Sequence, residues 1–202
     1  MINIFSDKKF SLIKDSGFGI RNSQIRNILE HLTVVNYQNI EKQVPKSKGI
    51  YFWVNCKSKN YEYIGIATNN QGLYGRICSK HLNKNYLEYR EIKHSKIKDS
   101  YQIKNAIRKE ANPERKYIDK SAFRKNVGRL MELCPGEDTL DYVRNEGKFY
   151  FYNFLNVTNL YLETIETILI AKLQPKFNVS KKNKKIIYSN EILENYNVLD
   201  LI

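Results

Sequence analysis

Cysteine is scarce in this chain and badly placed for paired work. Cys56, Cys78 and Cys134 are scattered through 202 residues with no CxxC pair. That argues against a disulfide framework and a structural zinc site, and for a reducing compartment. Long apolar runs are missing as well. No segment approaches the ~18 consecutive apolar residues of a membrane span. Met1 to Lys9 also lack a signal peptide's apolar stretch. The expectation is a soluble, cytoplasmic protein without a membrane partner. No internal repeat and no low-complexity linker divides the chain.

Positive charge and aromatic rings are plentiful. The formal net charge is +13, from 34 basic and 21 acidic residues. Such a surplus fits a polyanion partner, because basic surface gains affinity by releasing counterions from phosphates. Apolar residues make up 42%, and 15 tyrosines and 9 phenylalanines predict an aromatic core. The Lys104 to Arg129 segment is the densest basic stretch outside the tail. It holds Lys104, Arg108, Lys109, Arg115, Lys116, Lys120, Arg124, Lys125 and Arg129 against Glu110, Glu114 and Asp119. Its cations alternate with ordered apolar positions, so it reads as a phosphate-contacting insertion rather than a disordered run.

Periodicity divides the rest. Ile25, Ile28, Leu29 and Leu32 lie on one face of a helix with Ser23 as candidate N-cap. His31, near its end, reads as a surface or packing residue. Gly49 to Val54 and Tyr61 to Ala67 are β-branched and aromatic runs separated by polar Asn55 to Asn60, which predicts a hairpin. Leu73 to Leu82 reads as a helix with Arg76, Lys80 and His81 on a basic face. Tyr101 to Lys109 and Ser121 to Met131 read as further helices. Lys148 to Leu155 is a third strand. Thr158 or Asn159 caps a helix over Leu160 to Lys172, and Pro175 stops it.

The expected fold is α/β (α+β): a small three-stranded antiparallel sheet flanked by helices, with an N-terminal helical extension and a helical basic insertion. Residues 1–47 are the extension, 48–180 the catalytic domain with the insertion at about 90–147, and 181–202 a basic, then acidic-apolar tail.

This order gathers Tyr51, Tyr63, Arg76, His81 and Glu166 near the sheet. The set suits phosphodiester hydrolysis. One carboxylate can hold Mg²⁺, which prefers oxygen and keeps several waters. An arginine fork binds phosphate oxygens and stabilises charge in the transition state. A tyrosine can take a proton from water only if its pKa, ordinarily ≈ 10, is lowered by neighbouring positive charge.

The literal Gly49-Ile50-Tyr51 followed by Tyr63-Ile64-Gly65 resembles the signature of the GIY-YIG nuclease superfamily. Arg76 on the next helix and Glu166 and Asn178, twelve apart around Pro175, extend the resemblance over about 48–82 and 148–179. The resemblance implies a Mg²⁺-dependent deoxyribonuclease, with Mn²⁺ able to substitute. It implies Tyr51 as general base or orienter of water, Tyr63 as its support, and Gly65 as a point of close backbone approach. Arg76 would clamp the phosphate and Glu166 bind the metal, while Asn178 would be a structural or DNA-proximal hydrogen bonder. Many members carry histidine or tyrosine four residues after the arginine, where this chain has Lys80, with His81 at five. Either His81 reaches in through a locally irregular helix, or Lys80 assists Tyr51 as a cation; His81 is preferred. Glu163 competes with Glu166 for the metal, and the spacing to Asn178 prefers Glu166.

The layout is most like the type II restriction endonuclease branch, in which additions to the core read the site. The expectation is therefore sequence-specific cleavage of double-stranded DNA. Lys104, Arg108, Lys109, Arg115, Lys116, Arg124, Lys125 and Arg129 would contact DNA. Cutting both strands would take a homodimer, at least on DNA, or sequential nicks. The rival readings are a structure-selective repair or mobile-element (homing-type) nuclease and a non-catalytic nucleic-acid-binding protein.

Overall fold

The computed structural model describes residues 22–91, 108–109 and 112–179. Its centre is the strand β2 (Gly49–Asn55), buried along its whole length. Side chains alternate across a strand, and here both faces are covered. Tyr51 and Trp53 enter one apolar cluster with Phe123, Phe149 and Phe177. Ile50, Phe52 and Val54 enter another with Ile64, Ile165 and Leu169. Each such side chain contributes about 1.5–3 kcal/mol on burial. The Trp53 indole N–H is satisfied by the Val143 carbonyl at 2.9 Å.

Before β2 lie α1 (Asn22–Glu30), β1 (Thr33–Val34) and α2 (Ile40–Gln43). Ile25, Ile28 and Leu29 of α1 are buried in the second cluster, so the described part of the extension belongs to the core. His31 is exposed and bonds the Asn27 carbonyl through Nδ1 at 2.9 Å.

β2 pairs antiparallel with β3 (Tyr61–Ala67) on one side and β7 (Gly147–Asn153) on the other. β1 adds to the outer edge of β7, with Thr33 opposite Phe151. The sheet thus has four strands in the order β1-β7-β2-β3, one more than the three expected. A two-residue strand carries no readable alternation; pairing with β7 alone makes it a strand.

After β3 come α3 (Gly72–Arg76) and one π-helical turn, Ile77–His81. The insertion differs from the helical segment expected. It opens with a second antiparallel sheet of β4 (Leu87–Glu91), β5 (Arg108–Lys109) and β6 (Asn112–Asp119), ordered β4-β6-β5. Of the helix expected over Tyr101 to Lys109, residues 101–107 lie outside the described residues, and Arg108 and Lys109 form a strand. Helices α4 (Ala122–Leu130) and α5 (Glu137–Asn145) complete the insertion. α6 (Asn159–Leu173) then packs on β2 and β3. Its N-cap is Thr158, whose hydroxyl accepts from the Tyr161 amide. It ends at Gln174 in the left-handed conformation, φ 47°. The 181–202 tail lies outside the described residues. Among the described residues no helix is long and apolar enough to cross a membrane.

Candidate active site

Tyr51 and Gly65 face each other across the β2–β3 pair. A Cβ on Gly65 would collide with the Tyr51 ring and hydroxyl. Only glycine lets the phenol lie flat across β3. The close approach at Gly65 is therefore made by Tyr51 itself.

Tyr51, Tyr63, Gly65, Ile66, Thr68, Arg76, Glu163 and Glu166 line one cleft of about 270 Å³. They come from β2, β3 and its exit, α3 and α6. The ring centroids of Tyr51 and Tyr63 are 6.2 Å apart. Glu166 is buried at 7% exposure, whereas Glu163 lies exposed three residues earlier on α6. Both carboxylates reach the cleft, and Glu166 sits deeper. The Arg76 Nε is buried without a hydrogen-bond partner among the described residues. A larger cleft, about 570 Å³, lies among α2, the π-helical turn and α5. It too is lined by phenols, a guanidinium and carboxylates (Tyr37, Tyr74, Arg144, Glu41, Glu137 and Asp141), but by none of Tyr51, Tyr63, Arg76 and Glu166.

The π-helical turn sets which of Lys80 and His81 meets Tyr51. The Leu82 amide donates to the Ile77 carbonyl, five residues back, at 2.9 Å. One extra residue in the turn rotates the chain beyond it. His81 swings inward into the angular position that residue 80 would hold in an α-helix. His81 is 3% exposed and its Nε2 lies 2.8 Å from the Tyr51 hydroxyl. Its ring stacks on Phe149 and meets Phe123 edge-on. Lys80 instead places its ammonium 5.9 Å from the centroid of the Tyr86 ring. The Lys80 pKa is lowered, first by desolvation and then by Arg76 and Lys120.

Burial dominates the titration of this cluster. It raises Tyr51 well above the ordinary phenol value; Tyr63 adds to the rise and Arg76 opposes it. Burial also pushes Tyr63 up to about 12. It pushes His81 down to about 3, helped by Arg76, Arg124 and Lys80. The free site at neutral pH therefore holds two neutral phenols and a neutral imidazole.

Asn178 sits outside the cleft. Its amide oxygen accepts from the Ile64 N–H at 2.8 Å and its amide nitrogen donates to the Ile64 carbonyl at 2.7 Å. The Phe177 amide donates to the Glu62 carbonyl at 2.8 Å. The segment after α6 thereby satisfies the open edge of β3 at Glu62 and Ile64.

The basic insertion is less available than its composition implies. Arg124 is fully buried and pairs with the equally buried Asp119 at 2.9 Å. It also donates to the Tyr86 and Gly136 carbonyls. The expected DNA contact at Arg124 is thus replaced by an internal ion pair. Spacing alone could not show this, because Asp119 lies at the end of β6 and meets Arg124 only once α4 folds back. Lys125 binds Glu88 at 2.7 Å, tying α4 to β4. Arg129 is half-buried on α4. Arg115 and Lys116 lie on β6, where Lys116 pairs with Arg108 of β5. Lys109 lies opposite Asn112. Lys104 lies outside the described residues.

Ser121 has no place among the site residues expected from the sequence. It is buried, caps α4 and lies 2.7 Å from His81 Nδ1. Its one signal in the sequence is that of a helix N-cap.

Compared with protein-family models, curated proteins and solved structures, the chain gives no match.

Proposed function

We propose that the protein is a Mg²⁺-dependent endonuclease that hydrolyses phosphodiester bonds of double-stranded DNA, with the sequence-specific action of a GIY-YIG-type restriction enzyme. The observation that carries this reading is the convergence of Tyr51, Tyr63, Arg76 and Glu166, from four elements, on one small cleft. The charge of +13 supplies general attraction for the polyanion.

In this reading Arg76 binds the scissile phosphate. A buried guanidinium N–H without a partner is costly, about 1–3 kcal/mol, and a phosphate oxygen would satisfy it. Guanidinium also suits phosphate through paired N–H donors. Tyr51 releases its own proton to solvent through the cleft that it lines, then orients the attacking water and accepts the proton that this water gives up. Burial opposes that loss in the free protein, so it accompanies the entry of positive charge, as the existing pull of Arg76 indicates. Tyr63 packs beside Tyr51 and lines the same wall.

Glu166 would hold the divalent cation, with Glu163 at the rim. No group of three or more metal-ligating side chains occurs among the described residues. That donor set suits Mg²⁺, which binds through one or two carboxylates and keeps waters, rather than a metal needing a protein cage. When bound, the cation supplies charge that polarises the phosphate and stabilises the departing 3′ oxygen. Because one such cleft occurs among the described residues, cutting both strands calls for a homodimer on DNA or for two successive nicks.

Burial of Arg124 and engagement of Lys125 remove cations from the expected reading surface, and this favours one rival, a structure-selective repair or mobile-element nuclease. One experiment addresses both readings: Mg²⁺-dependent digestion of a defined plasmid, with the ends sequenced, using wild type and Glu166→Gln. Discrete bands are expected from wild type, and retained DNA binding without cutting from the variant. A smear or branch-dependent cutting supports the rival. Intact duplex across many random sequences, with folded protein and Mg²⁺, overturns the nuclease reading.

A further inference from the structure

The hydrogen bonds around His81 form a chain in which the direction of each proton can be worked out. The Arg124 amide donates to Ser121 Oγ at 3.2 Å. Ser121 Oγ lies 2.7 Å from His81 Nδ1, and His81 Nε2 lies 2.8 Å from the Tyr51 hydroxyl. Ser121, His81 and Tyr51 are each at most 3% exposed. A neutral imidazole carries one N–H, so one of its nitrogens must accept.

Two arrangements satisfy the ring. In the first, Nδ1–H donates to Ser121 and Tyr51 donates to Nε2. Ser121 then accepts twice, and its own buried proton has no acceptor among the described residues. A buried donor left unmade is unfavourable. In the second, Ser121 donates to Nδ1, and Nε2–H donates to the Tyr51 oxygen. The Tyr51 proton then turns toward the cleft that Tyr51 lines, whereas Ser121 lines no part of that cleft and has nowhere else to donate among the described residues.

We propose that Ser121 is a positioning residue that holds His81 as the neutral Nε2–H tautomer, making His81 a hydrogen-bond donor to the Tyr51 oxygen. His81 in this form does not take the proton of Tyr51. It stabilises the phenolate, because a donor aimed at an oxygen favours its anionic state. Arg76, Arg124 and Lys80 all oppose a charged imidazole, so donation is available without protonation. The role of Tyr51 as base rests on the nuclease reading; the tautomer does not. Ser121 lies two residues after β6, so the insertion supplies a group that conditions the central tyrosine.

The test is ring-¹⁵N histidine labelling with long-range ¹H–¹⁵N correlation at neutral pH. Only His31, His81 and His94 give signals, and loss of one in His81→Gln assigns it. Wild type is expected to show His81 with Nε2 protonated and Nδ1 bare. A proton on Nδ1, alone or with Nε2, overturns the proposal. Ser121→Ala should populate both neutral tautomers, and Ser121→Thr, which keeps the hydroxyl and the cap, should restore the wild-type pattern. If Ser121→Ala does not fold, the wild-type and Ser121→Thr spectra decide alone. Where cleavage is measurable, Ser121→Ala should move the acidic limb of its pH profile up by about one unit, a tenfold slower rate below it. An unmoved limb with altered tautomers overturns the positioning role. A correct tautomer in a protein that never cuts DNA leaves the assignment standing and overturns the nuclease reading instead.

Discussion

Asn178 holds both backbone polar groups of Ile64, 114 residues away in sequence, through the two ends of one side-chain amide. It does for β3 what a neighbouring strand would do. β3 carries Tyr63 and Gly65 on either side of Ile64, so this bond fixes the wall of the cleft. Asn178→Asp keeps the shape but cannot donate to the Ile64 carbonyl. It should cost about 2–3 kcal/mol by the usual penalty for a buried group left unpaired. Urea melts and amide exchange at Ile64 test this; an unchanged melt with a protected Ile64 amide would refute it.

The packing of Tyr51 across Gly65 predicts strong coupling between them. Tyr51→Phe should lower cleavage about 10²–10⁴-fold, the range for a positioned acid or base. Gly65→Ala should cost about 1–3 kcal/mol through overpacking and should displace the ring. Once the ring is displaced, removing its hydroxyl should matter little. The double variant should therefore cut no more slowly than the slower single variant. Additive losses in kcat/KM would show that the two sites act separately.

The Asp119–Arg124 pair should behave as structure. Asp119→Asn leaves a buried guanidinium uncompensated and should destabilise the fold by about 3–5 kcal/mol. Combining it with Arg124→Met should recover much of that loss. Thermal melts of the single and double variants decide this. A single variant as stable as wild type would mean that Arg124 reaches solvent.

Acid should weaken the fold through His81. Its folded pKa is pushed down to about 3 by burial, then by Arg76, Arg124 and Lys80, against about 6.5 in the unfolded chain. Between these values the unfolded chain binds the extra proton. Stability should fall as pH drops from about 6.5 toward about 3, by up to ~1.4 kcal/mol per pH unit from this group. Above about 6.5 the contribution is flat. His81→Gln should make the pH dependence shallower in that window. Urea melts at pH 7 and 5 measure both slopes, and parallel curves would exclude His81 as the source.

Local pattern was enough to place Tyr51, Tyr63, Arg76 and Glu166 on their elements, because alternation and helical spacing are properties of consecutive residues. The hairpin and α6 were legible for the same reason, with the cap narrowed to Thr158 or Asn159. The strand β1 was not, since two residues have no period. Nor was the second sheet, whose pairing partners lie far apart in a polar segment.

The linear chain alone dictates which chemistry is on offer: phenols, a guanidinium, a carboxylate and a basic surplus. Packing determines which of these groups meet. It withdrew Arg124 from the surface because a carboxylate at the end of β6 meets it after the chain folds back. It turned His81 rather than Lys80 toward Tyr51 because one widened turn rotates the chain by a residue. It added Ser121, since a helix cap becomes a partner for an imidazole only when elements forty residues apart pack together. Each outcome depends on how the chain folds back and packs, which the spacing of residue types along it does not encode.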